Sequence, residues 1–210
     1  MRSWSVVVPA KRLDAAKTRL RPVTAGRDDA DVAHRELVLA LLADTVAAAV
    51  ACPVVRAVVV VTDDEAAAAV GRELGARTVA DEPGRGLNPA LEHGARHTPG
   101  TAVAALSSDL PALRPDELAA ALGAAAVTPR AFVPDAQGTG TTLLTAVDAD
   151  LEPRFGPGSA EAHLAGGAVA LTGTWPGLIR DVDTEADLRV ALRLGTGPRT
   201  VALIQRLGGG

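Results

Sequence analysis

Short apolar segments rich in valine, alanine and leucine alternate along the chain with longer segments rich in alanine and leucine. The short segments predict strands, at residues 5–8, 57–62, 77–80, 102–106, 131–134, 141–145 and 168–171. The longer segments predict helices, at residues 31–51, 64–74, 88–96, 115–125, 159–165 and 184–194. Because the strand segments are almost continuously apolar, we expect an α/β fold in which a mostly parallel sheet carries helices on both faces.

The pattern contains no linker, internal repeat or low-complexity block that would divide the chain. We therefore predict one α/β domain over residues 1–207. Residues 208–210 are all glycine and, with Leu207 before them, are expected to form a disordered tail. The stretch from residue 128 to residue 175 is less regular than the first half of the chain, and it predicts an antiparallel excursion of the sheet.

Composition narrows the possible classes of function. The chain has 210 residues, of which 48% are hydrophobic and 22% charged, as is ordinary for a soluble globular protein. Its net charge of −4 argues against nucleic acid as a partner, since a general nucleic-acid binder needs a basic field. The single cysteine, Cys52, excludes an internal disulfide and a cysteine-rich zinc site, and we expect it to be a small buried hydrophobic residue.

No apolar run approaches the roughly 20 residues that span a bilayer, and no signal peptide is evident, so we expect a cytoplasmic protein without a membrane partner.

The first predicted strand leads directly into a cationic segment. Lys11, Lys17 and Arg19 all follow it before residue 20. Ligands of α/β sheets bind outside the carboxyl ends of the strands, and cations placed there commonly bind phosphate or carboxylate groups. A solvated helix face would explain the same charges equally well from this segment alone.

Carboxylates follow two later segments. Asp109 comes just after the strand predicted at residues 102–106, and Pro111 prevents that strand from continuing. Asp181 and Asp183 alternate along a short extended segment and are therefore expected to point to one face. Oxygen ligands at a sheet edge suit Mg²⁺, which takes one or two protein carboxylates together with substrate phosphates. The alternative is that these aspartates cap the helices that follow them.

Two glycine-rich loops complete the set of candidate features. Residues 135–142 alternate small residues with hydroxyls and offer donors to an anion, and residues 155–159 lead into a predicted helix. Neither loop matches a phosphate-binding P-loop or a dinucleotide fingerprint, which argues against a kinase or a dehydrogenase. His163 follows the second loop and is a further candidate for ligand contact, whereas Asn88 is placed to cap the helix predicted at residues 88–96. Each loop alone could be an ordinary turn. Together with the cations and Asp109 they predict a site for a nucleoside triphosphate and a second, small anionic substrate.

These motifs, in this order, resemble the guanylyltransferase family of coenzyme F420 biosynthesis. The resemblance covers nearly the whole chain and rests on the segments at residues 8–11, 17–20, 86–91, 108–111, 138–142 and 155–159. It implies a single-domain nucleotidyltransferase fold like that of glycosyltransferase-A enzymes, with GTP as the donor and Mg²⁺ as the cofactor.

The resemblance also implies roles for individual residues. The implied triphosphate ligands are Lys11, Lys17 and Arg19, and the implied guanine contacts are Leu87 and Asn88. The metal site would be formed by Asp109 with Asp181 or Asp183, a choice that the sequence leaves open, and the catalytic residues would be Lys17 and Asp109. The acceptor's phosphate and carboxylate would be bound by Thr141, Gly156 and Ser159.

The activity implied by the resemblance is transfer of GMP from GTP to the phosphate of a small phosphorylated three-carbon acid, with release of pyrophosphate. The alanine-, arginine- and glycine-rich composition favours the actinobacterial branch, which acts on phosphoenolpyruvate, and a downstream enzyme of coenzyme F420 biosynthesis is then a possible partner. The same reaction on 2-phospho-L-lactate or 3-phosphoglycerate is the alternative.

Two further alternatives are a transferase acting on a sugar phosphate or a molybdenum cofactor, and a nucleotide-binding module without catalysis. Pro9-Ala10-Lys11 in place of a glycine-rich first loop argues against the former, and the retention of Lys17, Arg19 and Asp109 argues against the latter.

Overall fold

The computed structural model describes residues 2–10, 17–82 and 84–208 of the chain. Within these ranges the strands are β1 Trp4–Pro9, β2 Val55–Val61, β3 Arg77–Val79, β4 Ala102–Leu106, β5 Arg130–Pro134, β6 Thr141–Val147 and β7 Val169–Ala170. The α-helices are α1 Ala30–Ala51, α2 Glu65–Glu73, α3 Leu87–Arg96, α4 Pro115–Ala125, α5 Ser159–Ala165, α6 Glu185–Leu194 and α7 Pro198–Gly208. A 3₁₀ helix, Thr18–Val23, precedes α1.

All the strands described belong to one sheet, in the order β3-β2-β1-β4-β6-β5-β7. The central strand β1 pairs in parallel with both β2 and β4. The strand β6 lies antiparallel between β4 and β5, which confirms the predicted antiparallel excursion. As a result the carboxyl ends of β1, β4 and β5 and the amino end of β6 meet at one edge of the sheet.

Helices cover both faces of the sheet, as predicted from the continuous apolar strands. Successive residues of β1 alternate between the faces: Val6 and Val8 pack with α1 and α4, whereas Val7 packs with α3 and α5. A third apolar cluster joins the outer side of α1 to α6 and α7. Cys52 is 1% exposed and lies in the first of these cores, as expected for a small hydrophobic residue.

The helix α7 was not predicted, and it corrects the expected disordered tail at Leu207 and Gly208, whereas Gly209 and Gly210 lie outside the described residues. Leu207 and Gly208 are helical, because an apolar face that includes Leu203 and Ile204 packs against α1. The amino end of α7 is held by Asp44 of α1, whose carboxylate accepts the backbone N–H groups of Arg199 (3.1 Å) and Thr200 (2.9 Å).

Candidate active site

The carboxyl ends of β1 and β4 open onto a cleft of about 400 Å³, a volume within the ordinary range for a small-molecule site. Its apolar lining comes from α1, α3 and the segment before α5, through Val38, Leu41, Leu42, Leu87, Leu91 and Phe155. Its polar lining comes from the segments that follow β1 and β4 and from the segment before α6, through Lys17, Thr18, Arg19, Ser107, Ser108, Asp109 and Asp183. A cleft of this kind can hold a ligand with both a ring system and anionic groups. Lys11 lies outside the described residues.

The structure brings the three predicted metal-ligating aspartates together. Asp109, Asp181 and Asp183 each offer one carboxylate oxygen, and these oxygens all lie within 4.8 Å of one another. The N–H of Val182 donates to the backbone carbonyl of Asp109 over 3.0 Å. Because Asp181 and Asp183 flank Val182, this bond places both of them beside Asp109.

The alternative that these aspartates are helix caps is wrong. The helix α6 is capped by Thr184, which forms a capping box with Asp187, and α4 begins after Arg114. The carboxylates of Asp181 and Asp183 are therefore not used to start the helix that follows them.

Lys17, in the cationic segment that follows β1, contacts this cluster of aspartates. Its ammonium group binds the carboxylates of both Asp109 and Asp183, and the guanidinium of Arg19 lies 3.1 Å from the second Asp183 oxygen. Burial of the ammonium lowers the pKa of Lys17, but the charges of Asp109 and Asp183 outweigh this effect and hold the pKa above its ordinary value. The alternative of a merely solvated helix face is therefore wrong for Lys17.

The charge balance of the cluster favours a divalent cation. Burial raises the pKa of Asp181 to about 7, and the neighbouring carboxylates of Asp109 and Asp183 add to the rise. When all three carboxylates are ionised, the Lys17 ammonium and the Arg19 guanidinium leave one negative charge unbalanced, and hard oxygen donors are the ligands that Mg²⁺ prefers. The donor set and its spacing therefore fit a divalent metal ion.

The residues expected to bind the acceptor lie on two loops that contact each other. Thr141 begins β6 and is 7% exposed, and Ser159 begins α5 and is 2% exposed. The N–H of Ala160 donates to the carbonyl of Thr139 over 3.1 Å, which fastens one loop to the other. Gly156 has a φ of +136°, a backbone conformation that side-chain-bearing residues rarely adopt.

Asn88 has a different structural role from the cap that the sequence predicted. The helix α3 begins at Leu87 after Gly86, so Asn88 already lies inside it. Its side-chain amide donates to the carbonyl of Phe155 (3.1 Å) and accepts the N–H of the same residue (2.8 Å). Asn88 therefore holds the backbone directly before Gly156, and a contact of Leu87 or Asn88 with guanine stays a prediction.

His163 lies behind the acceptor loops. Its side chain is buried, at 2% exposure, and both of its ring nitrogens have protein partners. The expectation that His163 contacts a ligand directly therefore does not match its position.

Two further residues that support the site were missed in the sequence. Thr45 of α1 accepts the N–H of Leu110 over 2.9 Å and so fixes the residue after Asp109. Glu117 of α4 accepts the N–H groups of Gly177 (3.3 Å) and Leu178 (3.1 Å), in the segment that leads to Asp181. Thr45 lies in the interior of α1 and Glu117 in the first turn of α4. Nothing in the local sequence distinguishes either of them from an ordinary helix residue.

No helix within the described ranges is both long and apolar enough to cross a membrane.

Comparison with known proteins agrees with this geometry. Residues 4–208 match the family model described as "Guanylyl transferase CofC like". A phosphoenolpyruvate guanylyltransferase from Geodermatophilus obscurus is 72% identical over 204 residues, covering 97% of this chain and 95% of the relative. A protein of the same name from Salinispora arenicola is 55% identical, covering 95% of this chain and 92% of the relative. Among solved structures, a nucleotidyl transferase from Methanothermobacter thermautotroptrophicus superposes with a TM-score of 0.67 at 20% identity, covering 91% of this chain and 97% of the other, and shares the fold.

Proposed function

This chain belongs to the CofC-like guanylyl transferase family, and we propose that it transfers the GMP group of GTP to the phosphate of phosphoenolpyruvate with release of pyrophosphate. The observation that carries the proposal is the cluster of Asp109, Asp181 and Asp183 with Lys17 bound to it, at the mouth of a cleft with one apolar wall. The names of the relatives at 72% and 55% identity support the choice of acceptor. The product would serve the next step of coenzyme F420 biosynthesis.

The donor is proposed to lie in the cleft with its triphosphate toward the cations. Lys17 and Arg19, together with Lys11, would bind the phosphates, and Leu87 would face the base. A lysine ammonium has three donors, and Lys17 directs donors at two carboxylates. As far as the described residues go, a further donor of Lys17 is thus open to a phosphate oxygen.

The carboxylates of Asp109, Asp181 and Asp183 would hold Mg²⁺. When bound, the ion would polarise the phosphoryl group and neutralise charge that develops on the leaving pyrophosphate. The side chains of Thr141 and Ser159 and the backbone at Gly156 would hold the phosphate and the carboxylate of the acceptor.

The chemistry is an in-line displacement. An oxygen of the acceptor's phosphate forms a bond to the α-phosphorus of GTP, and the bond from that phosphorus to the bridging oxygen breaks, so that pyrophosphate leaves with the electron pair. A phosphate is already ionised near neutral pH, and no general base is required. The obstacle is the repulsion between two polyanions, which the cations of the cleft offset. Holding both reactants in line can contribute about 7–11 kcal/mol.

The test is a pyrophosphate-release assay with product identification by ³¹P nuclear magnetic resonance. GTP is combined with phosphoenolpyruvate, 2-phospho-L-lactate or 3-phosphoglycerate, with Mg²⁺ or with a chelator, and ATP replaces GTP as a control. We expect release only with GTP, Mg²⁺ and an acceptor together, and the highest kcat/KM with phosphoenolpyruvate. Equal release without an acceptor would contradict group transfer. A tenfold or greater preference for 2-phospho-L-lactate would show that the acceptor is wrong.

A further inference from the structure

The imidazole of His163 connects the two loops proposed to bind the acceptor. Its Nδ1 lies 2.9 Å from Oγ1 of Thr141, and its Nε2 accepts the backbone N–H of Arg154, also over 2.9 Å. The ring also contacts the rings of Phe132 and Phe155, with centroid distances of 5.7 Å and 5.3 Å. Burial and these contacts at both ring nitrogens hold the imidazole in one orientation.

The backbone bond determines where the proton of the ring lies. The N–H of Arg154 can only donate, so Nε2 must be unprotonated. A neutral imidazole then carries its proton on Nδ1, and this N–H donates to Oγ1 of Thr141. If both ring nitrogens were protonated, the Nε2–H of His163 and the backbone N–H of Arg154 would face each other as two donors with no acceptor between them. The lowered pKa of His163, about 4 as a result of burial and then of the charge of Arg154, agrees with a neutral ring.

This tautomer determines what the Thr141 hydroxyl can do. A hydroxyl has one proton and two lone pairs, and the bond from His163 occupies a lone pair. Among the described residues, no protein group accepts the hydroxyl proton of Thr141. Within the described residues the proton is therefore left without an acceptor, and an ionised phosphate or carboxylate offers only acceptors.

We infer that His163 is a positioning residue for the acceptor substrate: by donating from Nδ1 to Thr141, it keeps the Thr141 hydroxyl as a hydrogen-bond donor to the phosphate or carboxylate of that substrate. The inference rests on the proposed function, in which Thr141 binds the acceptor. The opposite tautomer would take the Thr141 proton and present lone pairs to an anion. The bond from Arg154 to Nε2 also fixes the backbone two residues before Gly156, so one ring aligns both parts of the acceptor site.

Two substitutions separate the two bonds. In His163→Gln the side-chain oxygen can reach the position of Nε2 and accept from Arg154, but no donor remains for Thr141. In His163→Asn the amide nitrogen can take the position of Nδ1 and donate to Thr141. We expect His163→Gln to raise KM for phosphoenolpyruvate about tenfold while KM for GTP changes less than twofold. We expect His163→Asn to raise the acceptor KM less than threefold.

A double-mutant cycle shows whether His163 acts through Thr141. In a Thr141→Val background, which lacks the hydroxyl, His163→Gln should raise the acceptor KM by less than twofold. A merely structural role would add its full effect in that background and would raise both KM values together. Either result would overturn the inference.

A measurement on the free protein tests the same inference without turnover. Histidine labelled with ¹⁵N, assigned by its loss in His163→Gln, should give a signal of a protonated Nδ1 and an unprotonated Nε2. A protonated Nε2 would overturn the inference and leave the proposed function standing. If the wild-type protein turns over none of the three acids, the proposed function fails, and the inference fails with it.

Discussion

Replacing Asp109 with asparagine should abolish most of the activity while leaving the fold as stable as before. Asparagine keeps the size and shape of the side chain and removes one negative charge from the cluster. The backbone carbonyl of residue 109, which accepts from Val182, is unchanged, so Asp181 and Asp183 stay in place. The substitution therefore tests the charge alone.

The expected change in stability follows from the spacing of the charges. At an effective dielectric constant of about 20, two unit charges 4.8 Å apart repel by about 3.5 kcal/mol, so Asp109 carries about 7 kcal/mol of repulsion from its two neighbours. Solvent screens part of this repulsion at Asp183, whose side chain is 38% exposed. Attraction to Lys17 at an ordinary ion-pair distance of about 2.8 Å is worth about 6 kcal/mol on the same scale. The two effects nearly cancel, and we expect the free energy of unfolding to change by less than about 1 kcal/mol.

The expected change in turnover is much larger. Loss of a group that stabilises developing charge typically costs about 10²–10³ in kcat. The assay measures kcat with saturating GTP and phosphoenolpyruvate over a Mg²⁺ titration. Unfolding in urea is followed in parallel at pH 8, above the pKa of about 7 that burial and the neighbouring carboxylates give Asp181.

Asp44 provides the matched control. Its buried carboxylate accepts two backbone N–H groups of α7 and lies outside the cleft. In Asp44→Asn one of these N–H groups faces an amide donor, so the protein should lose about 1–3 kcal/mol of stability while kcat is retained. Turnover of Asp109→Asn within threefold of wild type, with unchanged Mg²⁺ dependence, would refute the reasoning. Equal losses of stability in both variants would refute it as well.

Three further predictions concern the surroundings of the cluster. Ser159→Ala should raise KM for the acceptor more than KM for GTP, and steady-state kinetics with each substrate varied checks this. Glu117→Gln weakens the hold on the segment before Asp181, so half-saturation with Mg²⁺ should move up about tenfold; an unchanged Mg²⁺ titration would contradict it. Because burial and then Arg154 lower the pKa of His163 from 6.5 to about 4, the unfolded state binds the extra proton first as the pH falls. Stability should therefore be lost between about pH 6.5 and pH 4, by about 3 kcal/mol, and urea unfolding of His163→Gln should show a flatter pH dependence.

Much of the fold could be predicted because its signals are local. Continuous apolar runs flanked by turn residues identified the strands, and Pro115 and Thr184 marked the starts of α4 and α6. That Asp109 and one of Asp181 and Asp183 share a site could be predicted from the rule that ligands bind at the carboxyl edge of such a sheet, and the structure adds the second of the pair. Each of these inferences needs only a few neighbouring residues and one general property of sheets.

The missed features depend on contacts between distant parts of the chain. The helix α7 begins without a capping side chain of its own in the local sequence, because Asp44, about 150 residues earlier, accepts its first N–H groups. The capping role expected of Asn88 was wrong for a similar reason, since its partner is the backbone of Phe155. A short polar side chain can cap a helix or hold a remote loop, and only the packing of α3 against that loop decides between the two.

The segments that carry the proposed ligands are held by one polar side chain from each of four helices. These side chains bind backbone N–H groups beside the site, and they are Thr45 of α1, Asn88 of α3, Glu117 of α4 and His163 of α5. Because α1 and α4 pack on one face of the sheet and α3 and α5 on the other, both faces contribute to the position of the same edge. Two polyanions must be brought into line there, and a misplacement of about 1 Å can cost about 10²-fold in rate. Thr45, Asn88 and His163 provide this alignment without adding charge near the phosphates, which leaves the electrostatics of the cleft to Lys17, Arg19 and the three aspartates.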